Sequence, residues 1–362
     1  MRWLAVTLWL TALPAGAVAA PRWSAAVGDA DTLEVGEPAA MYAACGARSE
    51  ALESVARLIA TRRSRSLEPP SARAIAEMTQ AAGVAQPWPR AWSIVSADAA
   101  RPFAAWLGGG RGRRRCGIAR VGEAVAAVTV DALAELRPLA RYVRVGAWVP
   151  LEARLLTEAS DAAVVLLDPG GVPRRILAGM SEQVVRSRFA LDAPGAWRVQ
   201  VLATLPTGPE PVLEALLFAG DAEEEDDTAP DVTDADGVPL PDVQVMMRLS
   251  NAERRERGLP PLKKTAELDA LALAHAQRMA ARGEAVHDAG DGDPAMRVQE
   301  AGVVARLVGE NVARAADAAA AHRALWASPS HRANMLSTDY GRIGVGVVRA
   351  GGAVWVVELF TD

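Results

Sequence analysis

Apolar positions fall along this chain in helical spacing, then in alternation, then in both again. Between residues 41 and 131, Leu52, Val55, Leu58 and Ile59 line one face of a helix expected over Ala51–Arg63. A second helix is expected over Ser71–Ala82, with Ile75 and Met78 inward and Gly83 as its stop. Two short strands, Gly117–Val121 and Glu123–Val130, flank a turn at Gly122. Between 137 and 219 the period shortens. Apolar runs at 148–156, 162–167, 184–191, 196–202 and 212–218 are separated by turns at 168–171, 193–195 and 206–209. Short strands at that spacing predict an antiparallel β-sandwich. Its residues show no metal-ligand spacing, and a structural or carbohydrate-contacting module is as far as the pattern reaches.

Residues 221–241 break the pattern. Asp221–Asp227 is a like-charge block, followed by Pro230, Pro239 and Pro241, and reads as an extended linker. Beyond it, residues 242–362 return to helical spacing. Asp242 is placed to cap a helix running to about Arg257, with Gly258 as stop, and Thr265 to cap another ending at Gly283. Ser328-Pro329 marks a further helix start. Strands at 342–349 and 354–360 close the chain as a hairpin around Gly351-Gly352. The whole reads as α+β, in three units joined by a linker.

Similarity between two segments adds to this picture. Met78–Val84 resembles Arg297–Val303, and Cys116–Val130 resembles Ile343–Val357. Either residues 41–131 are a diverged internal copy of the C-terminal domain, or two Ala/Val-rich segments coincide.

Composition narrows the function classes. The chain has 362 residues, 51% of them hydrophobic, and a net charge of −5, which leaves no global electrostatic case for nucleic acid. Lys263 and Lys264 are the only lysines; with the alanine excess this reads as coding bias. Arginine clusters are discounted accordingly, and Arg111, Arg113, Arg114 and Arg115 read as a solvated loop. Residues 1–19 have a basic start, a short apolar run and the small-x-small site Ala17-Val18-Ala19, the pattern of a secretory signal peptide without a lipid-attachment cysteine. No later segment is long and apolar enough to span a bilayer. In an oxidising compartment Cys45 and Cys116 are expected to pair.

All four histidines lie in the last quarter. His275 shares a helix face with Leu268, Leu271 and Met279 and reads as a core residue. His322, one turn before Trp326, reads as structural or exposed. His287 lies in Gly283-Glu-Ala-Val-His-Asp, Glu310 in Gly-Glu-Asn, and His331 in Trp326-Ala-Ser-Pro-Ser-His-Arg. In the first turn of a helix the dipole disfavours protonation of His331 and leaves the imidazole free to bind a metal or accept a proton.

This set of motifs resembles the CAP superfamily of cysteine-rich secretory, antigen 5 and pathogenesis-related proteins, over roughly residues 243–360. The resemblance implies an α-β-α sandwich whose central cleft is lined by His287, Glu310 and His331, in some members around a divalent metal. The place of a further glutamate is taken by Pro329; Glu358, on the last strand, either partly replaces that acid in the cleft or points into solvent. Two histidines and a carboxylate make an open set for zinc or another divalent cation, weakly bound. Catalytic residues stay unassigned. The leading expectation is a secreted or periplasmic protein that binds an apolar small molecule, a cell-wall fragment or a protein near this cleft. A zinc-dependent hydrolase of peptide or wall material, and a structural or interaction protein with no active cleft, are the alternatives.

Overall fold

The computed structural model describes residues 22–23, 37–108, 113–220 and 240–362. The expected signal peptide and the acidic linker residues 221–239 lie outside the described residues. Strand β1 (Arg22–Trp23) pairs with a strand of the sandwich. The first α+β unit follows as α1 (Glu37–Cys45), β2 (Ala47–Arg48), α2 (Glu50–Ser64), α3 (Ala72–Ala81), β3 (Arg90–Val95), α4 (Ala100–Leu107), β4 (Arg113–Val121) and β5 (Ala124–Ala132). Its sheet order is β2-β4-β5-β3. Ser49 starts α2 by accepting from the N–H of Leu52, and Leu52, Val55 and Ile59 bury the helix against the sheet. The helix lies so close that a Cβ at Gly117 would stand 2.0 Å from the backbone nitrogen of Glu53. Cys45 and Cys116 are disulfide-bonded and tie α1 to β4.

The arginine run corrects the sequence expectation. Arg113, Arg114 and Arg115 lie in β4, not in a loop, while Arg111 lies outside the described residues. Arg115 is buried and pairs with Glu135 at 2.8 Å, and Arg114 meets Asp131 at 3.4 Å. Strand pairing with β5 outweighs the solvation that the charges invite.

The sandwich is built from β6 (Ala134–Leu136), β7 (Leu139–Ala140), β8 (Tyr142–Val143), β9 (Trp148–Leu155), β10 (Asp161–Leu167), β11 (Pro173–Ile176), β12 (Ala178–Ser181), β13 (Val184–Ala190), β14 (Gly195–Leu205) and β15 (Gly208–Ala219). A sheet of order β11-β10-β14-β15-β8 faces one of order β12-β13-β9-β6. Trp197, Val199 and Val201 of β14 point into their shared core, so Arg198 and Gln200 point outward.

The C-terminal unit comprises α5 (Asp242–Glu256), β16 (Lys263–Lys264), α6 (Ala266–Arg282), α7 (Pro294–Glu300), β17 (Val308–Ala315), α8 (Ala318–Ala327), α9 (Pro329–Leu336), β18 (Arg342–Ala350) and β19 (Ala353–Thr361). Its sheet, β16-β18-β19-β17, carries α6 and α7 on one face and α5, α8 and α9 on the other. Thr265 caps α6 and Gly283, at φ +78°, ends it, both as expected. Asp242 is not the cap of α5. Pro241 takes that position, and Asp242 lies inside the helix with its carboxylate on Arg349.

The two α+β units share their sheet order and connectivity. In each, a short strand joins the hairpin in parallel and a helix follows at once. The capping residue's N–H donates to the hairpin strand, Ser49 to the Cys116 carbonyl at 2.8 Å and Thr265 to the Ile343 carbonyl at 3.2 Å. That register sets Gly117 opposite α2 as Gly344 stands opposite α6, where a Cβ would come within 2.1 Å of the Leu268 backbone.

Candidate functional site

The loop after α6, the start of β17 and the first turn of α9 bring the predicted residues together. His287 Nδ1 is 2.8 Å from Glu310 Oε1. The other carboxylate oxygen of Glu310 accepts from the Arg297 guanidinium, which also donates to the backbone carbonyls of His287 and Gly292. Behind Glu310 stands His275, with Nε2 at 3.9 Å from Glu310 Oε1 and 2.8 Å from the Val286 carbonyl, and Nδ1 at 2.9 Å from Asp291. Asp288 closes the loop by accepting from three consecutive backbone N–H groups, Gly290 to Gly292, which hold its carboxyl below the ordinary range.

His331 is buried on α9. Burial first, and the neighbouring His287 second, push its pKa down to about 3, so the ring is neutral. Neutrality was expected from the helix dipole; desolvation is the stronger cause.

Glu358 does not join His287 and Glu310. Neighbouring residues of a strand face opposite sides of a sheet. Asn311 pairs with Glu358 and shares its side, whereas Glu310 points to the α6 side. Glu358 is wholly buried. Ser250 donates to it at 2.9 Å and Asn311 at 3.0 Å, and burial raises its pKa to about 7. Asn334 joins the two sides, donating to Asn311 at 2.9 Å and to the Glu310 carbonyl at 3.3 Å.

The proposed ion set has an unfavourable donor arrangement. Both oxygens of Glu310 are engaged, and one of their partners is a fixed cation that would repel a second. Among the described residues no group of three or more His, Cys, Asp or Glu side chains is placed to hold a metal ion. While His287 and Arg297 hold both of its oxygens, Glu310 is not free to serve as a ligand.

Three members of the network, His275, Asp291 and Arg297, were not read as site residues in the sequence. Asp291 lies four residues from His287 and is half-buried, and Arg297 lies in the first turns of α7 and is buried. His322 is buried against Trp326, with neither ring nitrogen hydrogen-bonded among the described residues. The first α+β unit has none of this chemistry among its described residues. By the shared register its Ile59, Ala91, Trp92 and Ala127 stand where His275, Glu310, Asn311 and Glu358 stand in the second.

The family model of the cysteine-rich secretory protein (CAP) family matches residues 247–359. The C-terminal unit is a CAP domain. The protein YkwD of Bacillus subtilis (strain 168) is 31% identical over 115 residues, which are 31% of this chain and 44% of YkwD, so the match spans under half of that relative. Among solved structures, an outer surface protein of Borrelia burgdorferi is 20% identical, with TM-score 0.32, over 33% of this chain and 92% of its own. An extracellular protein containing an SCP domain from Bacillus anthracis str. Ames is 15% identical, with TM-score 0.32, over 74% of this chain and 93% of its own. No described helix is long and apolar enough to cross a membrane.

Proposed function

We propose that this protein is an extracellular binding protein, whose CAP domain takes an envelope component or another protein beside the His287–Glu310–His331 cluster and breaks no bond in it. The carrying observation is the double engagement of Glu310 by His287 and Arg297. A general base must be free to take a proton, and a catalytic zinc needs ligands with lone pairs to spare. The carboxylate that would serve either purpose is held as the centre of a buried ionic network. The disulfide between Cys45 and Cys116 supports an oxidising location.

Hydrolysis and binding are measured on the full chain, with peptidoglycan, a generic peptide and a generic ester, with and without zinc. Cosedimentation with purified peptidoglycan, without release of products above the buffer rate, is the expected result. Zinc-dependent turnover that Glu310→Gln abolishes would overturn the reading in favour of a hydrolase.

A further inference from the structure

Ser328 stands at the cap of α9 but does not cap it. The task passes to the sandwich. Gln200 of β14 accepts from the Ser330 N–H at 3.1 Å through its side-chain oxygen, and its amide nitrogen donates to the Ser328 hydroxyl at 3.0 Å. A helix start otherwise leaves N–H groups without partners, so a cap lent by another unit ties that unit to the helix. Three further contacts continue the seam. Gly208, at the head of β15, lies against His287, so that a Cβ there would come within 2.9 Å of the histidine Cβ. Its φ of +107° is one that glycine adopts without strain. Arg332, stacked 4.0 Å over the Trp326 ring, points at the Gly171 carbonyl from 3.5 Å. On the outer face of β10, where α9 packs, Val165 and Leu167 are buried although they do not belong to the sandwich core.

We propose that the sandwich is the built-in occupant of the CAP cleft. The turn between β14 and β15 seals His287, Gln200 caps α9, and the protein rests closed. A ligand reaches His287, His331 and Glu310 only when the sandwich lifts away. The occupant is named by its fit: a turn with no side chain where the imidazole lies, and an amide where the helix start needs an acceptor. The consequence for ligand access rests on the binding reading above; the closed state itself does not.

The test is carbethoxylation of histidines by diethyl pyrocarbonate on the full chain, read residue by residue by mass spectrometry. Wild type is compared with Gln200→Ala and Gly208→Val, and circular dichroism checks the fold. In wild type His287 is expected to react slowly relative to the urea-unfolded chain. Both variants are expected to speed its modification about tenfold, the ratio that a loss of about 1.4 kcal/mol in docking gives. His275, enclosed between Asp291 and the Val286 carbonyl, stays protected and reports on unfolding. Fast reaction of His287 in wild type would overturn the proposal, as would variants no faster than wild type. A rise at all four histidines together would overturn separate lift-off, because the domain would then have opened as a whole. No outcome involves a ligand, so failure here is distinct from failure of the binding reading.

Discussion

Arg297 and Glu310 form an ion pair almost without access to water, their side chains 6% and 1% exposed. Removing one partner leaves a buried charge uncompensated, whereas replacing both need not. Arg297→Met is expected to cost about 3–5 kcal/mol. Arg297→Met combined with Glu310→Gln is expected to cost clearly less than the sum of the two single changes. Urea unfolding of the four proteins measures this, and additivity would show that the pair is not coupled.

Glu358 predicts a pH dependence of the opposite sign to that of an ordinary paired carboxylate. Its pKa rises from 4.5 to about 7 on folding, so the folded chain holds the proton more tightly. The benefit is full below about 4.5 and is lost as pH rises through about 7. Glu358→Gln can keep both hydrogen bonds without the charge. It is expected to stabilise the chain by about 2–3 kcal/mol at pH 8 and by much less at pH 5. Parallel stability curves for variant and wild type would show that this carboxylate does not titrate on folding.

His322 acts in the other direction. Burial lowers its pKa from 6.5 to about 4, so its contribution is full above 6.5 and lost as pH falls through about 4. His322→Phe retains the stacking on Trp326 and removes two buried nitrogens that lack partners. Thermal melts are expected to show a higher Tm for the variant, with the difference widening from pH 7 to pH 4. A narrowing difference would contradict the assignment.

The cysteine pair, 71 residues apart, closes a long loop. Chain entropy alone assigns such a loop about 4 kcal/mol. Cys45→Ala with Cys116→Ala is expected to lower the stability of the first unit by up to this amount, seen as earlier loss of protection of α2 in hydrogen exchange. Unchanged protection would show that packing, not the crosslink, holds α1 to β4.

Much of this architecture was legible because it is local. Thr265 and Gly283 mark the ends of α6 by cap chemistry, and the strands at 148–155 and 184–190 follow from alternation and turn residues. The segment pair that matched Cys116 to Ile343 is the register in which both hairpins meet their helices. The polar partners were not legible in the same way. His275 was placed correctly in the core by its helix face, yet nothing in that periodicity shows Asp291 on its far side. Glu358 lies on the face opposite Glu310, because a strand's alternation separates two sides without saying which of them faces His287. Gln200 carried no signal: an outward polar residue on a sandwich strand becomes a helix cap only once another unit sits on it.

Gln200 also donates to Glu214, and Glu214 accepts from Gln80 of α3, so one line of side chains runs from the first unit across the sandwich to α9. The covalent path between sandwich and CAP domain is then secondary to the contact between them. A protease that cuts between Gly220 and Leu240 would leave two pieces still clasped, migrating together on a sizing column and parting only in denaturant. Severing the peptide chain and releasing the domain are separate events in this protein.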